Sequence, residues 1–202
     1  MSFAEKLAFG KVAEGFIAKW LMARGNSVLP VYEIEKSTGK GPQLSGLDPR
    51  LVAPDMVAFP ENGVVWIEAK HKSDFTWHRN TQQWTTGIDL RHYGDYLKVA
   101  KLTKLPVWLM FFHRSSTPSD GDQRMGCPAQ CPIGLFGGDI FDLVPKENHR
   151  TPPLDYFREG AKGHGRSGMV YWSVSELKRL ATYDSVMQIA GHHTELVALP
   201  SA

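Results

Sequence analysis

Cysteine is scarce in this chain. Cys127 and Cys131 are its only two in 202 residues. Two thiols four positions apart do not make a secreted disulfide framework. Long hydrophobic runs are also missing, and no stretch approaches the length of a membrane span. The opening Met1-Ser2-Phe3-Ala4-Glu5-Lys6 has no long apolar core behind it, so no signal peptide is predicted. These absences predict a cytoplasmic protein without a membrane partner. Excess charge of one sign is lacking too: 23 Lys and Arg stand against 21 Asp and Glu, a net +2. So small a balance gives no general affinity for nucleic acid, and any basic surface must come from local clustering. No internal repeat is visible. What remains is ordinary globular composition, 42% apolar and 22% charged. The length suits one domain with a proper core.

The most informative stretch is Pro54-Asp55-Met56-Val57-Ala58-Phe59, followed by Val64-Val65-Trp66-Ile67-Glu68-Ala69-Lys70. Pro60-Glu61-Asn62-Gly63 separates the two apolar runs, which predicts two strands joined by a hairpin turn. Side chains alternate along a strand, so Glu68 and Lys70 share one face and Ala69 takes the other. Charges at half-buried strand positions are costly unless they hold something. Two carboxylates brought together favour a divalent cation with hard oxygen ligands, such as magnesium. The lysine beside them suits an anionic substrate, or water attacking one. The plain alternative is a hairpin with a surface Glu-Lys pair.

Upstream, Phe3, Leu7, Val12, Phe16, Ile17, Trp20 and Leu21 recur at helical spacing over residues 3–24. Gly25-Asn26 is a helix stop, and residues 27–32 read as a first strand. Glu14 lies near the apolar side of this helix, either partly exposed or turned to a site. Residues 35–50 form a polar loop whose Lys36, Lys40 and Arg50 are placed to contact phosphates or to be solvated.

Downstream, residues 71–84 interleave basic and aromatic side chains, among them Lys72, Trp77, His78, Arg79 and Trp84. Such mixtures serve phosphate contacts and base stacking. Trp77 and Trp84 fit equally well as core anchors of an irregular connection. A helix is predicted over 89–103, capped by Asp89 or Thr86 and ended by Leu105-Pro106. His92 and Tyr96 share one face of it. The run 106–113 is the most apolar and reads as a central strand buried on both faces.

These motifs, in this order, resemble the PD-(D/E)xK nuclease superfamily, the restriction-endonuclease-like and Holliday-junction-resolvase-like enzymes. The signature stands here as Pro54-Asp55, twelve intervening residues, then Glu68-Ala69-Lys70. The helix of the form G-x-x-x-E stands as Gly10 to Glu14, followed by an apolar run, Gly25 and a strand. In several branches a glutamine and a tyrosine four apart line the site; here His92 replaces the glutamine before Tyr96. The resemblance covers residues 3–113. It implies an α/β fold with a central mixed sheet flanked by helices, built in the order helix, three-stranded meander, helix, strand. It also implies that Asp55, Glu68 and Lys70 are catalytic with Glu14 in support. Asp55, Glu68, the Ala69 carbonyl and Glu14 would hold magnesium, with manganese a substitute. Lys40, Lys72, Trp77, His78, Arg79, His92 and Tyr96 are the expected DNA contacts.

Residues 114–167 read as an irregular insertion. Cys127 and Cys131 form a C-x-x-x-C pair that no histidine spacing completes into a zinc site, and unliganded thiols are preferred. Residues 133–143 give a short strand or helix, and 159–168 are glycine-rich and basic. A last strand is predicted at 169–172 and a helix at 176–182, which complete the core of a single domain spanning 1–202. The tail from Tyr183 has too little pattern to assign.

The assembled expectation is a magnesium-dependent endodeoxyribonuclease acting on double-stranded or branched DNA, of a resolvase-like or phage-type repair and recombination kind, with a homodimer as a candidate state. The rival from another class is a non-cleaving nucleic-acid-binding module on the same fold. A third is a structural protein whose hairpin acids are salt-bridged.

Overall fold

The computed structural model describes residues 14–31, 42–44, 51–153 and 168–195, with side chains as far as residue 190. It is a mixed α/β fold with a central mixed sheet flanked by helices. The first helix, α1, covers residues 14–22 of the described chain. It buries Ile17, Trp20 and Leu21, the stripe that helical periodicity predicts. Gly25 ends it at φ +83, while the Asn26 N–H returns to the Leu21 carbonyl at 3.2 Å. A residue with a Cβ would be strained at that angle.

Strand β1 (Ser27–Pro30) follows, then the short ladder of β2 (Gln43–Leu44) with β3 (Leu51–Val52). The predicted hairpin is present as β4 (Met56–Phe59) and β5 (Val65–Lys72). Most of the expected polar loop, with Lys36, Lys40 and Arg50, lies outside the described residues.

Beyond β5 come β6 (Thr76–His78), β7 (Gln83–Asp89), α2 (Leu90–Thr103) and β8 (Val107–His113). Asp89 caps α2 by accepting the Arg91 N–H at 2.9 Å. The left-handed Lys104 closes it, just before Pro106. The remaining elements are α3 (Asp120–Arg124), β9 (Gly134–Asp139), α4 (Ile140–Leu143), β10 (Glu147–Thr151), β11 (Met169–Ser173), β12 (Lys178–Ala181) and α5 (Tyr183–Glu195).

Six strands form the main sheet in the order β1-β4-β5-β8-β9-β12. All its pairs are antiparallel except β5 with β8, which is parallel from Trp66↔Val107 to Lys72↔His113. The order helix, antiparallel meander, helix, parallel strand is the order the resemblance implies. One face packs Met56, Ile67, Met110 and Phe112 against α1 and α5. The other packs Val57, Trp66, Leu109 and Phe111 against α2 and a second sheet. Strand β8 is buried on both faces, each large apolar side chain contributing roughly 1.5–3 kcal/mol.

The second sheet has the order β10-β11-β7-β6. Its two edges nevertheless meet: the His78 ring of β6 stacks on His149 of β10 at 3.8 Å, and His149 stacks on Tyr171 of β11 at 4.4 Å. Asn148 bridges the same seam to Thr81 at 3.0 Å. Gly87 permits this curl. A Cβ there would lie 2.1 Å from the Val170 carbonyl oxygen and 2.9 Å from the Tyr171 ring.

Several expectations are corrected here. The connection over 71–84 is regular, since β5 runs to Lys72 and β6 and β7 form a hairpin. The stretch after residue 113 is no irregular insertion as far as residue 153: it supplies β9, an inner strand of the main sheet, and β10. The helix expected at 176–182 is a 3-10 turn at Val174–Glu176 followed by β12. Seven residues make a marginal helix, and pairing with β9 decides the outcome. The unassigned tail holds α5. Both cysteines are free, and Cys131 is buried.

Candidate active site

The candidate site forms where β4 leaves β5. Pairing between them ends at Met56↔Ile67. Pro54 has no N–H to extend the ladder and turns the chain away. On its other side β5 stays clamped to β8 as far as Lys72. Residues 68–72 are therefore held rigidly while their β4 side is open. Asp55 fills the first gap: its Oδ2 accepts the Ala69 N–H at 2.8 Å, and its carbonyl accepts the Val31 N–H at 3.0 Å. In an extended strand the N–H and C=O of one residue leave on the same side. The Ala69 carbonyl therefore also faces Asp55.

Strand alternation turns Glu68 and Lys70 toward α2. Glu68 is completely buried, at 0% exposure. One of its oxygens is ion-paired with the Lys70 ammonium, which is 30% exposed. Lys70, Asp55 and Tyr96 all approach this carboxylate, yet neither Glu68 oxygen accepts a well-aligned hydrogen bond. A buried carboxylate in that state is costly.

The electrostatics follow from this crowding. Burial, and then Glu68, holds the Asp55 carboxyl well above the usual carboxylate range; Lys70 and the Ala69 N–H only partly offset them. For Lys70, burial favours the neutral amine, but Glu68, Asp55 and Glu14 together outweigh it and raise the ammonium above the ordinary lysine value. Lys70 is a fixed cation, not a base.

Helix α2 closes the site from above. Tyr96 is 2% exposed and directs its hydroxyl at Glu68; burial, then Glu68 and Asp55, raises its phenol well above the ordinary value. His92, one turn earlier, is half-buried, and burial followed by Lys70 lowers its imidazole. Asp95 between them accepts the Val52 N–H at 3.3 Å and ties β3 to the helix.

The structure thus brings together Asp55, Glu68, Ala69, Lys70, His92 and Tyr96, with Glu14 of α1 in electrostatic range of Lys70. Among the described residues no three of His, Cys, Asp and Glu form a cluster that could hold a metal, so Glu14 is not gathered with the two acids into such a set. Expected contacts farther along separate. Lys72 continues the Glu68 and Lys70 face. Trp77 is 7% exposed and packs edge-on against Trp84, because alternation turns it inward between Thr76 and His78. It is a core anchor and not a base-stacking platform. His78 belongs to the seam of the second sheet, with Nδ1 2.8 Å from the Thr81 hydroxyl. Arg79 is exposed in the hairpin turn. Tyr96 is too buried to touch DNA and instead faces the carboxylates. Lys40 lies outside the described residues.

One neighbour went unread in the sequence. His113 ends β8 opposite Lys72, is 0% exposed, and stacks on Phe75 at 3.6 Å. The alternation Leu109, Phe111, His113 carries the signal.

No protein-family model matches the chain, and no curated protein matches it. Among solved structures it is similar to Hjc, a Holliday junction resolvase from the archaeal hyperthermophile Archaeoglobus fulgidus. The TM-score is 0.44 at 10% identity, covering 83% of this chain and 90% of that one. It is also similar to a nuclease from a fusselovirus, with TM-score 0.39 at 11% identity over 94% of each chain. No helix among the described residues is long and apolar enough to cross a membrane.

Proposed function

We propose that the chain is a metal-dependent nuclease that hydrolyses DNA phosphodiesters. The observation that carries this reading is the buried Glu68 carboxylate. It sits beside Asp55 with one oxygen ion-paired to Lys70 and neither accepting a well-aligned hydrogen bond, where β5 runs past the end of its ladder with β4. A divalent cation would satisfy these oxygens and relieve the repulsion between the two acids. Asp55, Glu68 and the Ala69 carbonyl are hard oxygen donors suited to magnesium, which keeps several of its waters, with manganese as a substitute. The bound ion would supply a nucleophilic water at neutral pH and offset charge on the phosphate.

The remaining work falls to the chain's own residues. Lys70, held cationic by its acidic neighbours, orients the attacking water and stabilises the extra negative charge as the phosphorus–oxygen bond breaks. Tyr96 faces the Glu68 carboxylate from α2. His92 stands at the rim, placed for a phosphate or sugar contact. Glu14 supports Lys70 electrostatically. On this reading the substrate is DNA, branched or duplex, and a homodimer is the candidate working unit.

The test is cleavage of labelled four-way junction, linear duplex and single-stranded DNA with magnesium, manganese or EDTA. The reading requires cutting that depends on the metal and that Asp55→Asn abolishes with its fold intact. A wild type that binds these DNAs and cuts none would leave the binding module as the better description.

A further inference from the structure

On β5 the face that carries Glu68 and Lys70 continues to Lys72, about 6.6 Å farther along the strand. The two lysines are placed differently. Lys70 is committed to Glu68. Lys72 is half-buried, and among the described residues it forms no ion pair with a carboxylate. A partly desolvated ammonium without an anion is an unstable arrangement unless an anion arrives from outside.

Among the described residues its surroundings supply none. Lys70 lies on its own strand, and His113 lies opposite on β8. His71 turns to the other face and stacks on Phe112 at 6.0 Å. Asp74, in the turn that follows, holds the Ser73 hydroxyl. Burial, and then Lys70, lowers Lys72 to about 8. Burial, followed by Lys72, pushes His113 down to about 3, so this neighbour stays neutral and does not compete for an anion.

We infer that Lys72 is a phosphate subsite on the Glu68 and Lys70 face of β5, seating a DNA backbone phosphate next to the one that is cut. The inference rests on the nuclease reading above. It adds a second contact whose strength depends on protonation. Near neutral pH the ammonium is charged and the phosphate seats; in alkali an unoccupied Lys72 loses its proton and the contact weakens. An arginine would keep the charge throughout.

The experiment measures binding of a short labelled DNA duplex in EDTA, where no cutting occurs, for wild type, Lys72→Met and Lys72→Arg. Lys72→Met is expected to weaken binding roughly tenfold and to reduce the salt slope by about one. Between about pH 6.5 and 9.5 the wild type should lose roughly tenfold more affinity than Lys72→Arg, since a lysine with an ordinary value near 10.4 would stay charged over most of that range. A Lys72→Met variant with wild-type affinity and salt slope overturns the subsite, and if the wild type still cuts DNA with magnesium the nuclease reading stands without it. A wild type that neither binds nor cuts overturns both.

Discussion

Replacing Asp55 by asparagine should make the metal-free protein more stable while removing its response to magnesium. Asp55 and Glu68 are two acids brought to one buried place, with a single ammonium between them. Burial and Glu68 raise the Asp55 carboxyl in the folded state. A raised carboxyl favours its protonated form on folding. Stability is therefore lost as pH rises from the unfolded value through the folded one, and the Asp55 charge is a burden wherever the group is ionised. Removing one charge from a crowded buried set is worth on the order of 1–4 kcal/mol. Asparagine removes the charge and keeps an oxygen to accept the Ala69 N–H, now 2.8 Å from Oδ2. A gain of about 1–3 kcal/mol is expected, or roughly 3–8 °C in Tm for a chain of this size. Magnesium at about one hundred times its Kd should stabilise the wild type by roughly 2.7 kcal/mol and the variant by far less. Thermal unfolding in EDTA and in magnesium reads both quantities. An Asp55→Asn protein that is less stable in EDTA, or that responds to magnesium like the wild type, would refute the reasoning.

Other perturbations test neighbouring parts. Lys70→Met leaves the buried Glu68 without its cation and should cost roughly 2–4 kcal/mol by denaturant unfolding, besides abolishing cleavage. Tyr96→Phe should unfold like the wild type yet cut about 10–100-fold more slowly, because the hydroxyl directed at Glu68 is gone. Burial and then His78 lower His149, so the stability of the seam is full above the unfolded histidine value and is lost as pH falls below about 6.5. In His149→Phe, unfolding free energies between about pH 7 and pH 5 should vary less. Gly87→Ala should destabilise by about 3 kcal/mol or more, since its Cβ would meet the Val170 carbonyl at 2.1 Å; a folded variant with unchanged Tm would contradict the curled sheet.

The part of the fold that local pattern governs was legible. Residues 54–70 announce a hairpin through alternation and a Pro/Asn/Gly break, and the structure places β4 and β5 there. Helix α2 declares itself through Asp89 at its cap and the stripe of Tyr93, Tyr96 and Ala100. Where tertiary pairing decides, the sequence is mute. Leu177 and Leu180 are spaced as in a helix turn, but β9 draws Lys178–Ala181 into the sheet. Strands β6 and β7 were hidden by their charges and tryptophans, because an interleaved basic and aromatic segment has the same composition whether it faces DNA or a core. The candidate site divides likewise. Asp55, Glu68 and Lys70 follow from strand alternation and spacing. Tyr96 is reached through the resemblance and its spacing of four from His92, whereas the place of His113 beside Lys72 depends on how β8 docks on β5, which no local spacing encodes.

Nicking of supercoiled plasmid by wild type and Glu68→Ala, each with magnesium and with EDTA, tests the central claim most directly. The account predicts cutting by the wild type in magnesium alone and none by the folded variant. Equal nicking by the two proteins, or nicking that survives EDTA, would contradict it.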